Sequence, residues 1–322
     1  MTESRELVRR TIQFHNLGRL PVDFPPEYGS DFAWVGLTPS PDYRPREGVD
    51  EWGALWKNIG VSHLGEVERY PLADWKDFDR LKIPDMHEPR RWRELAQARE
   101  LAGEKYLLGE GISIWERVHF IRGLENTWID IEENPEQLCR LIDILVEMNL
   151  AAVEKYSAAG VDGFFLLDDW GLQRGLMVSP GSWRQIWKPR YARIFTAAHA
   201  AGLKTFLHSC GDIAALLDDL IEAGLDVIQM DQQENMGLET LGRCFGGRIT
   251  FFSPVDIQKT MVYGTMEEIR AYCRKMVECL GKPEGGFIPK WYGDPAGAGH
   301  RPEAIRAMCE EFLEISRERA GL

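Results

Sequence analysis

"AAGVDGFFLLDD", residues 158–169, and "EAGLDVIQMDQQ", residues 222–233, are two versions of one pattern. Each closes a helix-like segment on Gly, continues through Val-Asp or Leu-Asp into an apolar run, and ends in acids or amides. A short, continuously apolar run bounded by such signals reads as a strand buried on both faces. Gly just before it reads as the end of the preceding helix. A repeated helix–strand unit of this kind implies a parallel sheet with helices packed against it.

The same alternation extends outward in both directions. Upstream lie "EKYLLGEG" (104–111) and a helical stretch over 134–159. After the first repeat comes a long helix opened by "SPGSW" (179–183), with Ser as cap and Pro in the first turn. Then follow "KTFLHS" (204–209), a helix over 212–223, "LDVIQMD" (225–231), a helix near 236–245 and "RITFFSP" (248–254). A helix over 265–281, "GGFIPKW" (285–291) and a final helix over 301–318 complete the chain. "GRLPVDF" (18–24) would add a strand near the start. Eight strands would close a (β/α)8, TIM-type barrel. A doubly wound sheet is the alternative, weakened in its dinucleotide-binding form because no G-x-G-x-x-G follows a strand. The expected layout is a single domain over 1–322, with residues 100–322 as the main part of the barrel. Residues 1–99 would supply an N-terminal helix, a first strand and an irregular, aromatic-rich cover over the barrel mouth, with a hairpin near 61–70.

Composition narrows the function. The 322 residues carry a net charge of −13 and are 44% hydrophobic. An acidic chain without clustered Lys and Arg argues against nucleic acid or an anionic membrane as partner. No run approaches the ~20 apolar residues of a membrane span. "MTESRELVRRTIQFHN" (1–16) reads as an amphipathic helix rather than a signal peptide. A cytoplasmic protein acting on a small molecule is the expectation, with a homodimer among the assemblies it allows. Of the six cysteines, Cys139, Cys273, Cys279 and Cys309 lie in helix-like stretches and read as small packed hydrophobes, with no disulfide expected.

The chemistry-bearing residues gather at strand ends. Glu110, Asp168, Asp169, His208, Cys210, Gln229, Asp231, Gln232 and Lys290 all stand at or just past the C-terminal end of an apolar run. In a TIM-type barrel that rim carries the active site. His208-Ser-Cys210 places an imidazole and a thiol where both can enter one cavity, as a zinc or substrate site requires. The alternative is packing: a histidine bonded to backbone beside a small thiol. Of the adjacent pair Asp168-Asp169, one is expected to cap or bind backbone and the other to face the mouth, as base, ligand or cation anchor. Gln232 suits an amide, carboxylate or ring-nitrogen contact, and otherwise belongs to an ordinary loop. Arg122, Lys188 and Arg190 read as ion-paired surface groups.

"SIWERVHFIRGLENTWIDIEENPEQL" (113–138), "RGLMVSPGSWRQIWKPRY" (174–191), "HSCGDIAALLDDLIEAGLDVIQMDQ" (208–232) and "GGFIP" (285–289) with "GHRPEAIRAM" (299–308) together resemble the uroporphyrinogen decarboxylase-like superfamily. The resemblance implies a (β/α)8 barrel. It also implies one of two chemistries: cofactor-free decarboxylation of uroporphyrinogen, or zinc-dependent methyl transfer between a corrinoid and a thiol or other acceptor. The methyltransferase branch carries His-x-Cys on one strand, matched by His208 and Cys210, and a further Cys near the last strand. "GGFIPKWYGDPAGAGH" (285–300) has no Cys. A third ligand would have to be His300, Asp294, Glu110 or one of Asp168 and Asp169. The decarboxylase branch resembles P-x-W-x-M-R-Q-A-G-R near the N-terminus, where "RLPVDFPPEYGSDF" (19–32) offers Arg19 alone. The resemblance therefore implies a methyltransferase-like enzyme with His208 and Cys210 as metal ligands and Asp169 and His300 in catalysis. Asp168, Gln232, Glu110 and Trp170 would meet the substrate. Zinc, a corrinoid co-substrate and a corrinoid protein as partner follow from the same resemblance. A cofactor-free decarboxylase and a non-catalytic barrel binding a small molecule or tetrapyrrole are the alternatives.

Overall fold

The computed structural model describes residues 3–16, 18–40, 43–44, 48–58 and 65–321. Its strands are β1 (Phe32–Val35), β2 (Leu55–Asn58), β3 (Gly65–Arg69), β4 (Tyr106–Glu110), β5 (Gly163–Leu167), β6 (Lys204–His208), β7 (Val227–Gln229), β8 (Thr250–Ser253) and β9 (Phe287–Pro289). Seven of them form one parallel sheet in the order β1-β4-β5-β6-β7-β8-β9, while β2 and β3 pair as a separate antiparallel hairpin. All six strands expected after residue 100 are present, each followed by helix, so every step along the sheet is a crossover of the β-α-β kind.

The sheet curls. Alternate residues along the strands, Phe32, Tyr106, Leu108, Phe165, Phe206, Val227, Phe252 and Ile288, form one buried apolar cluster. Phe32 stacks on Phe252 with ring centroids 5.1 Å apart, although four strands lie between β1 and β8 in the sheet. Only a sheet bent round on itself brings those rings together. Val8 and Ile12 of the N-terminal helix (Ser4–Ile12) join the same cluster. That helix lies at the strands' N-terminal end, where the Arg5 N–H bonds the Glu104 carbonyl and the Gly286 N–H bonds the Thr11 carbonyl.

The first strand differs from expectation. It is "FAWV" (32–35), inside the stretch read as irregular cover. Residues 18–24 contribute only isolated bridges, Asp23 to Lys290 and Asp23 to Ser30. Pro21 removes one backbone donor there, and the Asp23 N–H and carbonyl bond Pro289 and Trp291. The helix opened at Ser179, whose hydroxyl accepts from the Ser182 N–H, is two helices, Pro180–Ile186 and Lys188–Ala200. Pro189, without an N–H, falls at the junction. The hairpin expected near 61–70 has strands at 55–58 and 65–69; residues 61–64 lie outside the described residues. Arg122 is buried, not a surface group: it ion-pairs with Asp130 and donates to the Leu72 and Ala73 carbonyls. It thereby ties the 70–80 segment to the helices Trp115–Arg122 and Leu124–Glu133. Lys188 and Arg190 are ion-paired as expected, with Asp219 and Asp143. The six cysteines are unpaired.

Candidate metal centre

β5 and β6 run side by side with Leu167 opposite His208. Their pairing continues past both strand ends: the Asp168 N–H bonds the His208 carbonyl at 3.0 Å, and the Gly171 N–H bonds the Cys210 carbonyl at 3.2 Å. The Trp170 N–H bonds Ser209 Oγ and the Cys210 N–H bonds Asp169 Oδ1 at 2.7 Å. The two exit loops are thus zipped together. Gly211 has φ +78°, and a Cβ there would sit 2.2 Å from the Gly171 carbonyl carbon, so only Gly permits the approach. Gln232 Oε1 accepts from the Gly211 N–H at 2.8 Å and fixes the loop from the β7 side.

This arrangement gathers three donors of different chemistry. His208 Nε2 lies 3.3 Å from Cys210 Sγ and 3.3 Å from Asp169 Oδ1. One ligand atom from each of Asp169, His208 and Cys210 lies within 4.8 Å of the other two. Tetrahedral zinc with bonds of about 2.0–2.3 Å needs ligand atoms about 3.3–3.8 Å apart. The donor set is therefore of the right size and type for a three-ligand site with an open fourth position.

A chain of hydrogen bonds orients the imidazole. Lys290 Nζ donates to Asp231 Oδ1 at 3.2 Å, and Gln229 Nε2 donates to the same oxygen at 2.7 Å. That leaves Gln229 Oε1 to accept from His208 Nδ1–H and directs Nε2 at Asp169 and Cys210. Burial pulls the His208 pKa down, but the Asp169 carboxylate and the Cys210 sulfur outweigh it and raise it well above the ordinary value. Burial pushes Asp169 up, yet His208 and the Cys210 N–H hold it below the usual carboxylate range. Burial dominates at Cys210 and raises its thiol. Without a cation, a proton on Nε2 balances the site; a metal would take that proton's place.

The remaining expected residues divide. Asp168 is fully buried and accepts from the N–H groups of Ile114, Trp115 and Glu116 and from the Tyr191 hydroxyl. Burial lifts its pKa to about 6. It caps the helix after β4, and Trp170 is equally buried among Trp115, Trp183 and Trp187. The structure gives neither a surface for substrate. His300 lies apart from the triad, with Nε2 bonding the Ile257 carbonyl at 3.0 Å. Glu110 faces the mouth, its pKa raised by burial.

Two mouth residues escaped sequence reading. Glu116, in the first turn of the helix after β4, is pushed up to about 8, by burial first and then by Asp169 and Asp168. Tyr292 is raised by burial and by the acidity of Asp231 and Cys210. A Glu in a first turn is ordinary helix chemistry, and a Tyr after a strand is ordinary too, so no local signal set them apart.

A curled seven-strand parallel sheet with a nitrogen, sulfur and oxygen donor set at its C-terminal rim defines an α/β protein consistent with a TIM-type barrel, although the eighth barrel strand expected from the sequence is not among the described strands. Residues 62–312 match the uroporphyrinogen decarboxylase (URO-D) family, and the chain belongs to that family. It is 26% identical over 262 residues to a uroporphyrinogen decarboxylase of Thioalkalivibrio sulfidiphilus, covering 77% of this chain and 72% of that one. A uroporphyrinogen decarboxylase of Alkalilimnicola ehrlichii is 22% identical over 275 residues, covering 80% and 73%. Among solved structures, a methyltransferase from Methanosarcina mazei superposes with a TM-score of 0.71 over 98% of this chain and 99% of its own, at 15% identity. That likeness extends the shared fold over nearly the whole chain. No helix among the described residues is long and apolar enough to cross a membrane.

Proposed function

We propose that this member of the family is a zinc-assisted methyltransferase moving a methyl group to or from a corrinoid. The observation that carries the reading is the Asp169–His208–Cys210 cluster, with the imidazole turned by Gln229 so that Nε2 faces the other two donors. His208, Cys210 and Asp169 would hold the metal, with Asp169 in the role a second cysteine has in the resemblance. Bound zinc supplies Lewis acidity that stabilises the deprotonated form of a thiol or water. Gln229 keeps Nδ1 protonated and Nε2 available, and Lys290 offsets the charge of Asp231 behind it. Glu116 holds a proton on its carboxyl near neutral pH beside the cluster, so it adds no negative charge there as an acceptor ionises.

Decarboxylation of uroporphyrinogen is the second reading, favoured by the names of the curated relatives. A polycarboxylate needs paired cations when buried. Arg19, the lone N-terminal candidate, is engaged with Asp31 at 2.8 and 2.5 Å, just before β1 at the far end of the sheet. Metal analysis of the purified protein, with methyl transfer from free methylcobalamin to a thiol, tests the first reading. Zinc and activity should both vanish in His208→Ala and Cys210→Ser. Metal-free wild type that converts uroporphyrinogen to coproporphyrinogen would overturn it.

A further inference from the structure

The inward positions at the top of β1, β4 and β5 form a wall that the metal chemistry leaves unused. Phe32 and Phe165 belong to the interior cluster, so Trp34 and Leu167, two residues on, face the mouth above them. They stay 42% and 42% exposed, although large apolar side chains normally find cover. The Trp34 ring is held edge-on against Phe165 at 5.0 Å. Leu167 pairs directly with His208, so the wall adjoins the donor cluster. Between them stands Glu110, reached from Leu108 by the same alternation. Its backbone carbonyl accepts from the Tyr156 hydroxyl. Its carboxylate has no hydrogen-bond or ion-pair partner among the described residues. It lies against Gly36, where a Cβ would come within 2.9 Å of Oε2. A side chain at 36 would take the space the carboxylate occupies.

Charge completes the picture. The acids of the mouth are Glu110, Glu116, Asp169 and Asp231. The cations acting on them among the described residues include Lys290, engaged by Asp231, His208, engaged by Asp169, and Arg117, engaged by Asp50. Among the described residues of this wall no cation stands free for an anionic ligand, whereas a compact cation would find an aromatic face and a carboxylate side by side. Aromatic rings beside a carboxylate recognise alkylated ammonium groups, whose diffuse, weakly hydrated charge suits the ring face better than the strongly hydrated Lys ammonium or a metal ion does.

We propose that the small-molecule partner in this mouth is an alkylammonium compound, with its cationic head on Trp34 and Glu110 and its remainder along Leu167 toward His208. The assignment rests on the methyltransferase reading for its meaning, but its binding test does not depend on metal or turnover. Choline and its neutral isostere 3,3-dimethylbutan-1-ol have the same shape and differ by one charge, so calorimetric or NMR titration of both isolates the cationic contribution. Wild type should prefer choline by about tenfold or more, within the range of cation–π and charge pairing. Glu110→Gln should erase most of that preference, and Trp34→Leu should weaken choline several-fold, with circular dichroism confirming that both variants fold. Chelator-treated wild type, with every residue of the wall in place, should retain the preference. Equal binding of the two compounds, no choline binding up to tens of millimolar, or an unchanged preference in Glu110→Gln would overturn the proposal. Zinc loss in His208→Ala is read separately: bound zinc without choline selectivity sinks this inference alone, and selectivity in a protein that never binds zinc sinks only the methyltransferase reading.

Discussion

Apart from Asp168, which caps a helix, and Asp231, which pairs with Lys290, the carboxylates at the two ends of the curled sheet are treated differently. At the N-terminal end, Asp162 accepts from Arg5 at 2.5 Å, Arg99 at 2.7 Å and the Leu107 N–H at 2.9 Å. Asp226 accepts from Lys204 at 2.8 Å, His199 at 2.7 Å and the Thr205 N–H at 2.9 Å. Each of these acids stands just before a strand and ties down the start of the strand before it in the sheet, with cations to balance it. At the C-terminal end, Glu110 has no partner among the described residues, Glu116 is pushed toward neutrality, and Asp169 shares a histidine with a thiol. Satisfied acids hold a structure; unsatisfied ones remain available to a ligand. The difference teaches which end the fold keeps for itself.

The largest effect that could break this contrast lies at the mouth. If the proposed metal site holds, Asp169→Asn and His208→Ala should each lower zinc affinity by about a thousandfold or more, since each removes one of the three proposed ligands. Denaturant titration of the chelator-treated variants should find both modestly less stable than wild type, by about 1–3 kcal/mol, because Asp169 is held ionised by His208 and the Cys210 N–H and each change leaves a buried partner unpaired. Metal-free stability equal to wild type would mean that the cluster contributes nothing to the fold without a metal.

Next comes the far end itself. Asp162→Ala should destabilise the fold by about 2–4 kcal/mol, leaving a strand N–H and two guanidinium groups without their acceptor. Zinc bound per folded chain should not change. Urea unfolding with metal analysis on the same samples checks both, and an effect under about 0.5 kcal/mol would erase the distinction.

Gln229→Leu sharpens the comparison one step behind the ligands. It removes the acceptor that sets the His208 tautomer and should cost about 10–100-fold in zinc affinity, measured by chelator competition. A value indistinguishable from wild type would show that Asp169 and Cys210 orient the ring without it.

The smallest effect is one of pH. Glu116 has a carboxyl at about 8 in the folded chain against 4.5 for the ordinary group. Between those values the folded state binds more protons than the unfolded state, so stability from this group is present below about pH 4.5 and is lost as pH rises toward 8. Glu116→Gln should flatten the stability profile of metal-free protein between pH 5.5 and 8 by on the order of 1 kcal/mol after allowing for screening. Parallel wild-type and variant profiles would remove Glu116 from the group of strained mouth acids.

The contrast was half legible in the sequence. The repeat "AAGVDGFFLLDD" and "EAGLDVIQMDQQ" carries both ends at once: Asp162 and Asp226 before the strand, Asp168-Asp169 and Gln232-Gln233 after it. One residue of each trailing pair, Asp169 and Gln232, accepts from a backbone N–H in the His208–Asp212 loop. The reading that one of Asp168 and Asp169 would cap and the other face the mouth matches their bonding, with Asp168 as the cap. Which was which depended on where the helix Trp115–Arg122 starts in space, more than 50 residues away in the chain. His300, adjacent to the rim in sequence, is drawn instead to the Ile257 carbonyl, a pairing between two loops that no local pattern encodes.

Strand placement, helix alternation and the gathering of polar residues at one rim follow from the sequence alone, because apolar periodicity and Gly or Pro punctuation act over a few neighbouring residues. The curl of the sheet, the seating of the N-terminal helix at its base and the choice of Asp169 as the third donor were decided by tertiary structure. Each depends on the register between strands and on loops meeting across the sheet. A one-residue shift of β5 against β6 would keep every local signal and separate Asp169 from His208. Charge followed the same division: the sequence counts the acids, but only their burial and partners in space decide which ones hold the fold and which ones face a ligand.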